Sequence, residues 1–176
     1  MIKNLLTRTI IAAAITLASS AALWAQGPMT QGRLADIARA IDPDARQNGP
    51  VIEFVVDDIP VVMISDAAAD RMRAMVPIRS AAGMTQPEMR RVLQANFDTA
   101  LDARYAIAQG RLWAVFIHPL SSLDRAQLLS GVVQTLNIAR SYGAGYSGGA
   151  NVFGGGDSND IYQELLDRLL EKGEEL

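Results

Sequence analysis

The stretch DARYAIAQGRLWAVFIHP, residues 102–119, decides how this chain folds. It reads as a β-hairpin. Gln109-Gly110 separates two apolar runs, and glycine at the second turn position supplies the positive φ that a two-residue turn needs. With the turn fixed, Ala108 pairs with Arg111, Ile107 with Leu112 and Tyr105 with Ala114. Leu101, Ala103, Tyr105, Ile107, Leu112, Ala114, Phe116 and His118 then share one face, and Arg104, Ala106, Trp113, Val115 and Ile117 the other. Neither face is polar. A sheet covered by helices on one side only shows apolar-in, polar-out alternation. Trp113, Val115 and Ile117 therefore require a cover of their own: another helix, a second subunit or a bound partner. These three, with Arg104 beside them, are the candidate binding surface.

A helix flanks the hairpin on each side. Thr85-Gln86-Pro87-Glu88 is a capping box, with Pro87 in the first turn where its missing N–H costs little. Met89, Val92, Leu93 and Phe97 form the expected buried stripe, with Arg90, Arg91 and Gln94 outside. Asn96 lies among apolar neighbours, where bonding to backbone is a commoner role than ligand contact. Beyond Pro119, Ser122 is placed to cap a second helix with Asp124 in its first turn. Leu128, Leu129, Val132, Val133, Leu136, Ala139 and Tyr142 follow at helical spacing until Gly143, and so wide an arc predicts burial on more than one side.

Upstream, Thr30 starts a helix to Ile41 with Leu34, Ile37, Ala38 and Ile41 on one stripe. Pro43 lies past its end and Asn48-Gly49-Pro50 is a loop. Val51–Val56 and Ile59–Ser65 form a hairpin around Asp57-Asp58, with Val56 facing Ile59, Phe54 facing Val61 and Ile52 facing Met63. Arg71–Ile78 is a third strand. Its Arg71 and Arg73 project from the wetter face, either toward an anionic ligand or, more commonly for such residues, into solvent beside nearby acids.

The ends differ in kind. Residues 1–25 carry a basic start (Lys3, Arg8), an apolar centre from Thr9 to Leu17, and small residues before plausible cleavage after Ala22 or Ala25. That is the pattern of a signal peptide, and the apolar centre is short for a membrane span. It predicts export to the periplasm, with no stable membrane insertion after cleavage; the alternative is an uncleaved N-terminal anchor. Residues 26–143 form the folded domain, 144–157 a glycine-rich linker and 158–176 an acidic C-terminal helix that reads as a tail.

The chain has 176 residues, no cysteine and one histidine. The signal contains two of the 16 basic residues and none of the 19 acidic ones, so the remainder, 14 against 19, carries a net charge of −5. An acidic domain without a basic stripe argues against nucleic acid, and without cysteine the core alone provides stability. Catalytic and metal chemistry find no footing. His118 has no nucleophile placed beside it, Gly154-Gly155-Gly156 lacks the lysine of a phosphate loop, and Asp157, Asn159 and Asp160 lack the spacing of a calcium loop. No enzyme, metal site or cofactor is expected.

The order helix, three strands, helix, two strands, helix resembles the YbjN-type family of the type III secretion chaperone-like fold. So do the words VIEFVVDDIP (51–60), Arg71-Met72-Arg73, Asn96-Phe97-Asp98 and GRLWAV (110–115). The likeness spans roughly Gln31 to Gly143. It implies a small α+β domain with an antiparallel sheet of about five strands, often a homodimer, that binds polypeptide and has no catalytic residues. The expected function is an exported, non-enzymatic, chaperone-like domain that dimerises or binds a polypeptide through its apolar sheet face. The alternative is a periplasmic binder of a small apolar or amphipathic ligand.

Overall fold

The structure, a computed structural model, describes residues 27–98, 100–142 and 159–174. The expected signal peptide and glycine-rich linker lie outside the described residues. The elements are α1 (Gln31–Ile41), β1 (Arg46–Asn48), β2 (Val51–Val56), β3 (Ile59–Asp66), β4 (Arg71–Ser80), α2 (Gln86–Asp98), β5 (Arg104–Ala108), β6 (Arg111–His118), α3 (Arg125–Ser141) and α4 (Asn159–Glu174). The fold is α+β with one antiparallel sheet of six strands in the order β1-β2-β3-β4-β6-β5.

Both hairpins take the expected register. Phe54 faces Val61 and Ile52 faces Met63, while Tyr105 faces Ala114 and Ile107 faces Leu112. The turns hold Asp57, Asp58, Gln109 and Gly110 at positive φ, the conformation that matches the twist of paired strands. The sixth strand, β1, is an addition. Arg46-Gln47-Asn48 is polar and wholly exposed, so it carries no alternation. It pairs with β2 only because Gly49-Pro50 turns the chain back, with Gly49 at φ 55.

Helices α1, α3 and α4 sit on one side of the sheet. Thr30 caps α1 by accepting from the Arg33 N–H, and Leu34, Ile37, Ala38 and Ile41 are buried against β2. Helix α3 packs on β4, β5 and β6 and is buried nearly all round. Its N-cap is Asp124 rather than Ser122. The Asp124 carboxylate accepts from the Gln127 N–H while Gln127 reaches back, a reciprocal box that Ser122 is too far upstream to make. Gly131 lets this helix approach β6 closely: a Cβ there would lie 2.5 Å from two ring carbons of Phe116. The last helix is not a free tail, since Leu165 and Leu169 are buried where α4 packs on α3 and α1.

Two acidic side chains hold joints of this layer. Asp57, in the β2–β3 turn, pairs with Arg168 of α4 at 2.9 Å and Arg140 of α3 at 3.0 Å. Hydrogen bonds from those two guanidiniums lower its pKa. Glu88 completes the capping box of α2 with the Thr85 N–H and hydroxyl, and those bonds lower its pKa as well.

Helix α2 corrects an expectation. Val92 and Ala95 are buried, but Met89, Leu93 and Phe97 are exposed by 38, 67 and 68%. The helix stands beside edge strand β5 rather than over the sheet, so only a narrow stripe finds cover.

Candidate binding face

Strand parity sends every second residue away from α1, α3 and α4, and the register stacks these residues into rows. One row crosses all six strands: Arg46, Glu53, Val62, Met75, Val115 and Arg104. The next runs Val51, Ile64, Arg73 and Ile117. A third places Pro77, Trp113 and Ala106 side by side. The residues between them on each strand, such as Ile52, Met63, Ala74, Ala114 and Phe116, are the buried core.

Among the described residues no helix lies on this second face. Val62, Ile64, Met75, Trp113 and Val115 are half-buried by their neighbours, and Ile117 is 56% exposed. The four residues expected as a surface, Trp113, Val115, Ile117 and Arg104, do share one face. The sequence did not reveal their neighbours on β3 and β4. The signal was the alternation of Arg71, Arg73 and Met75, but nothing local said that β4 would pair with β6.

The indole is fixed in place. Trp113 Nε1 donates to the Ala108 carbonyl at 3.1 Å, and the Arg111 guanidinium lies 5.8 Å from the ring centre, a cation–π distance. Arg104 donates to the carbonyls of Leu101 and Ala103. Arg73 differs from the expectation of nearby acids: its cross-strand neighbours are Ile64 and Ile117, and no carboxylate among the described residues lies within salt-bridge distance.

Sheet edges are the other route by which a polypeptide adds to a sheet, and a side chain occupies one position at either side of this one. On β5 the Tyr105 N–H donates to Asn96 Oδ1 at 2.6 Å, and Asn96 Nδ2 donates to the Tyr105 carbonyl at 3.1 Å. Asn96 therefore bonds backbone, but that of a neighbouring strand rather than its own helix. On β2, where β1 ends, the Val55 N–H donates to Asp42 Oδ2 at 2.8 Å.

A cavity of about 600 Å³ opens where β6 runs past the start of β5. Asp102, Arg104, His118, Ser130, Gln134 and Leu166 are among its lining. Its polar groups are largely engaged. The Gln134 amide accepts from the Asp102 and Ala103 N–H groups and donates to Asp102 and Ser130. His118 Nδ1 donates to the Pro119 carbonyl at 2.8 Å, and its ring stacks on Phe116. Among the described residues no cluster of three metal-capable side chains occurs, and no helix is long and apolar enough to cross a membrane.

No protein-family model matches the chain, and no curated protein matches it. Solved structures do. The crystal structure of the ExsC–ExsE complex is similar at a TM-score of 0.51 and 14% identity, over 65% of this chain and 90% of that one. The chain has the type III secretion chaperone fold. Two further structures overlap more loosely. The HopA1–SchA chaperone–effector complex gives a TM-score of 0.47 at 15% identity, over 63% of this chain and 90% of that one. The Yersinia pestis type III secretion chaperone SycH, in complex with a fragment of YscM2, gives 0.47 at 13%, over 61% and 98%.

Proposed function

We propose that this chain is a non-enzymatic, chaperone-like protein that binds a polypeptide on the open face of its sheet. The observation that carries the reading is the apolar strip formed by Val62, Met75 and Val115 with Trp113 and Ile117, left without a helix among the described residues. Apolar area of this kind on a sheet marks an interaction surface. The fold supports the reading, since the solved structure similar to it at a TM-score of 0.51 is itself a complex of two proteins, ExsC and ExsE. The YbjN-type assignment belongs to the same proposal, as does export to the periplasm, which rests on the signal pattern of residues 1–25.

A photo-crosslinking residue at Ile117 tests the face. It is expected to capture a polypeptide that the same probe at Asp36, on the outer side of α1, does not. Trp113→Asp and Val115→Lys are expected to abolish capture while the circular dichroism spectrum stays that of the folded chain, because a half-exposed position tolerates a charge that a core position does not. Loss of the folded signal would instead make the strip ordinary core. Mass spectrometry of the periplasmic fraction tests export: the mature chain is expected to begin at Gln26 or Leu23, and an intact Met1 would refute cleavage.

Self-association forms part of the proposal, through a different surface. A two-fold contact through the sheet face would set a patch with more arginines than carboxylates against an identical patch. The exposed stripe Met89, Leu93 and Phe97 of α2 is the other apolar surface open to a second copy. Leu93→Glu is expected to halve the mass seen by light scattering, and an unchanged mass would exclude that surface. The cavity beside His118 favours the second reading, an amphipathic small-molecule ligand, but the engaged state of Gln134 and Asp102 leaves such a ligand few polar partners.

A further inference from the structure

We infer that the partner segment is an acidic amphipathic helix, its apolar stripe on Val115 and Ile117 and its carboxylates on Arg73 and Arg104. This rests on the polypeptide-binding reading and adds the chemistry of what is bound.

The charge on the open face runs against that of the chain. The chain as a whole carries −3. By register and parity the open face carries five arginines, Arg46, Arg71, Arg73, Arg104 and Arg111, against two carboxylates, Glu53 and Asp66. None of the five is in a salt bridge with a described residue. Asp66 is spent on the turn that follows it, accepting from the N–H groups of Ala68 and Ala69.

Arg73 decides the point. It stands in an apolar row between Ile64 and Ile117, exposed and without a carboxylate partner. Any partner that covers Ile117 also removes water from Arg73. A desolvated guanidinium left unpaired is costly, whereas one met by a carboxylate gives a strong charge-assisted bond. A purely apolar occupant is thus penalised and a cationic one repelled. Arg104 stands two strands away and one row along, about 12 Å from Arg73 backbone to backbone by sheet geometry; its guanidinium now donates to the Leu101 and Ala103 carbonyls, so a carboxylate partner draws it off them.

The sheet edges and the open face together bear on the shape of the occupant. With Tyr105 bonded to Asn96 and the Val55 N–H bonded to Asp42, adding a strand at either position means displacing a side chain. An extended segment laid across the apolar face would leave its own N–H and C=O groups unmet. A helix satisfies them internally and presents apolar residues at i, i+3 and i+4. Two acids seven residues apart on such a helix lie about 10 Å apart, close to the spacing of the two arginines. The chain's own acidic helix α4 is docked on the opposite layer and is not this occupant. An anionic membrane surface offers the same charge, but Val62, Met75 and Val115 are half-buried while Arg73 and Arg104 are exposed, so a side chain projecting from a helix reaches the apolar strip better than a flat surface does.

The test uses the full chain and three probes: a fluorescent helical peptide with a leucine stripe flanked by glutamates, the same peptide with lysines in place of the glutamates, and phosphatidylcholine vesicles containing about one-third phosphatidylglycerol. The glutamate peptide is expected to bind by fluorescence anisotropy, and the lysine peptide at least about tenfold more weakly. Arg73→Gln with Arg104→Gln is expected to weaken the glutamate peptide about tenfold or more while the chain stays folded by circular dichroism. Equal binding of both peptides, lost in Trp113→Asp, would overturn the acidic preference and leave the polypeptide-binding reading standing. Binding of vesicles but neither peptide, lost with the arginines, would overturn the inference in favour of a membrane surface. Failure of all three probes to bind overturns the inference, and only the Ile117 crosslink then bears on the broader reading.

Discussion

Replacing Gly131 with alanine sets two effects of opposite sign against each other. In an exposed helix interior the change stabilises by about 1 kcal/mol, because alanine loses less backbone entropy. Here the added Cβ would lie 2.5, 2.5 and 2.7 Å from three ring carbons of Phe116, where carbon pairs prefer about 3.5–4.0 Å. The ring cannot swing clear, since Phe116 is buried between α3 and the sheet and stacked on His118. Helix and strand must separate by about 1 Å, an overpacking cost of about 1–3 kcal/mol and at the high end for a contact this close. Sterics win, and Gly131→Ala is expected to lose about 1–2 kcal/mol net, a fall of roughly 3–8 °C in Tm for a domain of this size. Thermal melts by circular dichroism read it directly. Phe116→Leu in the same chain is expected to recover part of the loss, giving a coupling above about 0.5 kcal/mol. A Tm that is unchanged or raised would mean that the helix does not pack this closely on β6.

Three further outcomes follow from particular side-chain contacts. Asn96→Ala removes both bonds to the Tyr105 backbone, at about 1–3 kcal/mol, and frees an edge strand, so a lower Tm with concentration-dependent aggregation is expected; Asn96→Asp, which keeps only the acceptor, should fall between. Asp57, Asp70 and Glu88 all have lowered pKa values in the folded chain, Asp57 through Arg168 and Arg140, Asp70 through the Ser121 N–H and hydroxyl, and Glu88 through Thr85. Their stabilisation is complete above the ordinary values of 3.8 and 4.5 and is lost as pH falls through the folded ones; Asp57→Asn should flatten this acid limb and loosen α4, read by proteolysis of the C-terminal segment. Leu165→Asp, which sets a charge under α4, should lower Tm by several degrees, whereas a free tail would leave it unmoved.

Where local chemistry speaks, the sequence was readable. Gln109-Gly110 and Asp57-Asp58 fixed two hairpins and every cross-strand pair in them, and Thr30 and Thr85 marked two helix starts. The failures share a cause. Met89, Leu93 and Phe97 have the spacing of a buried stripe, but a moment along a helix does not say how wide the surface opposite is, and β5 offers only an edge. Arg46-Gln47-Asn48 has no apolar alternation because both its faces meet water. The pairing of β4 with β6 is non-local, so neither the rows of the open face nor the isolation of Arg73 could be drawn from either strand alone. Asn96 was legible as a backbone-bonding residue, but its partner strand was not.

That non-local joint bears on the order of events in folding. The β2–β3 and β5–β6 hairpins close over short loops and form early, whereas β4 meets β6 only after α2 and β5 have been threaded between them, the slow kind of contact. Pro77 beside Trp113, Met75 beside Val115 and Arg73 beside Ile117 all straddle this seam. The face is thus absent from the half-assembled chain and comes into being with the last step. A ligand lying across it clasps the two halves after they have met, so occupancy should act as a brake on unfolding and leave the rate of folding almost untouched.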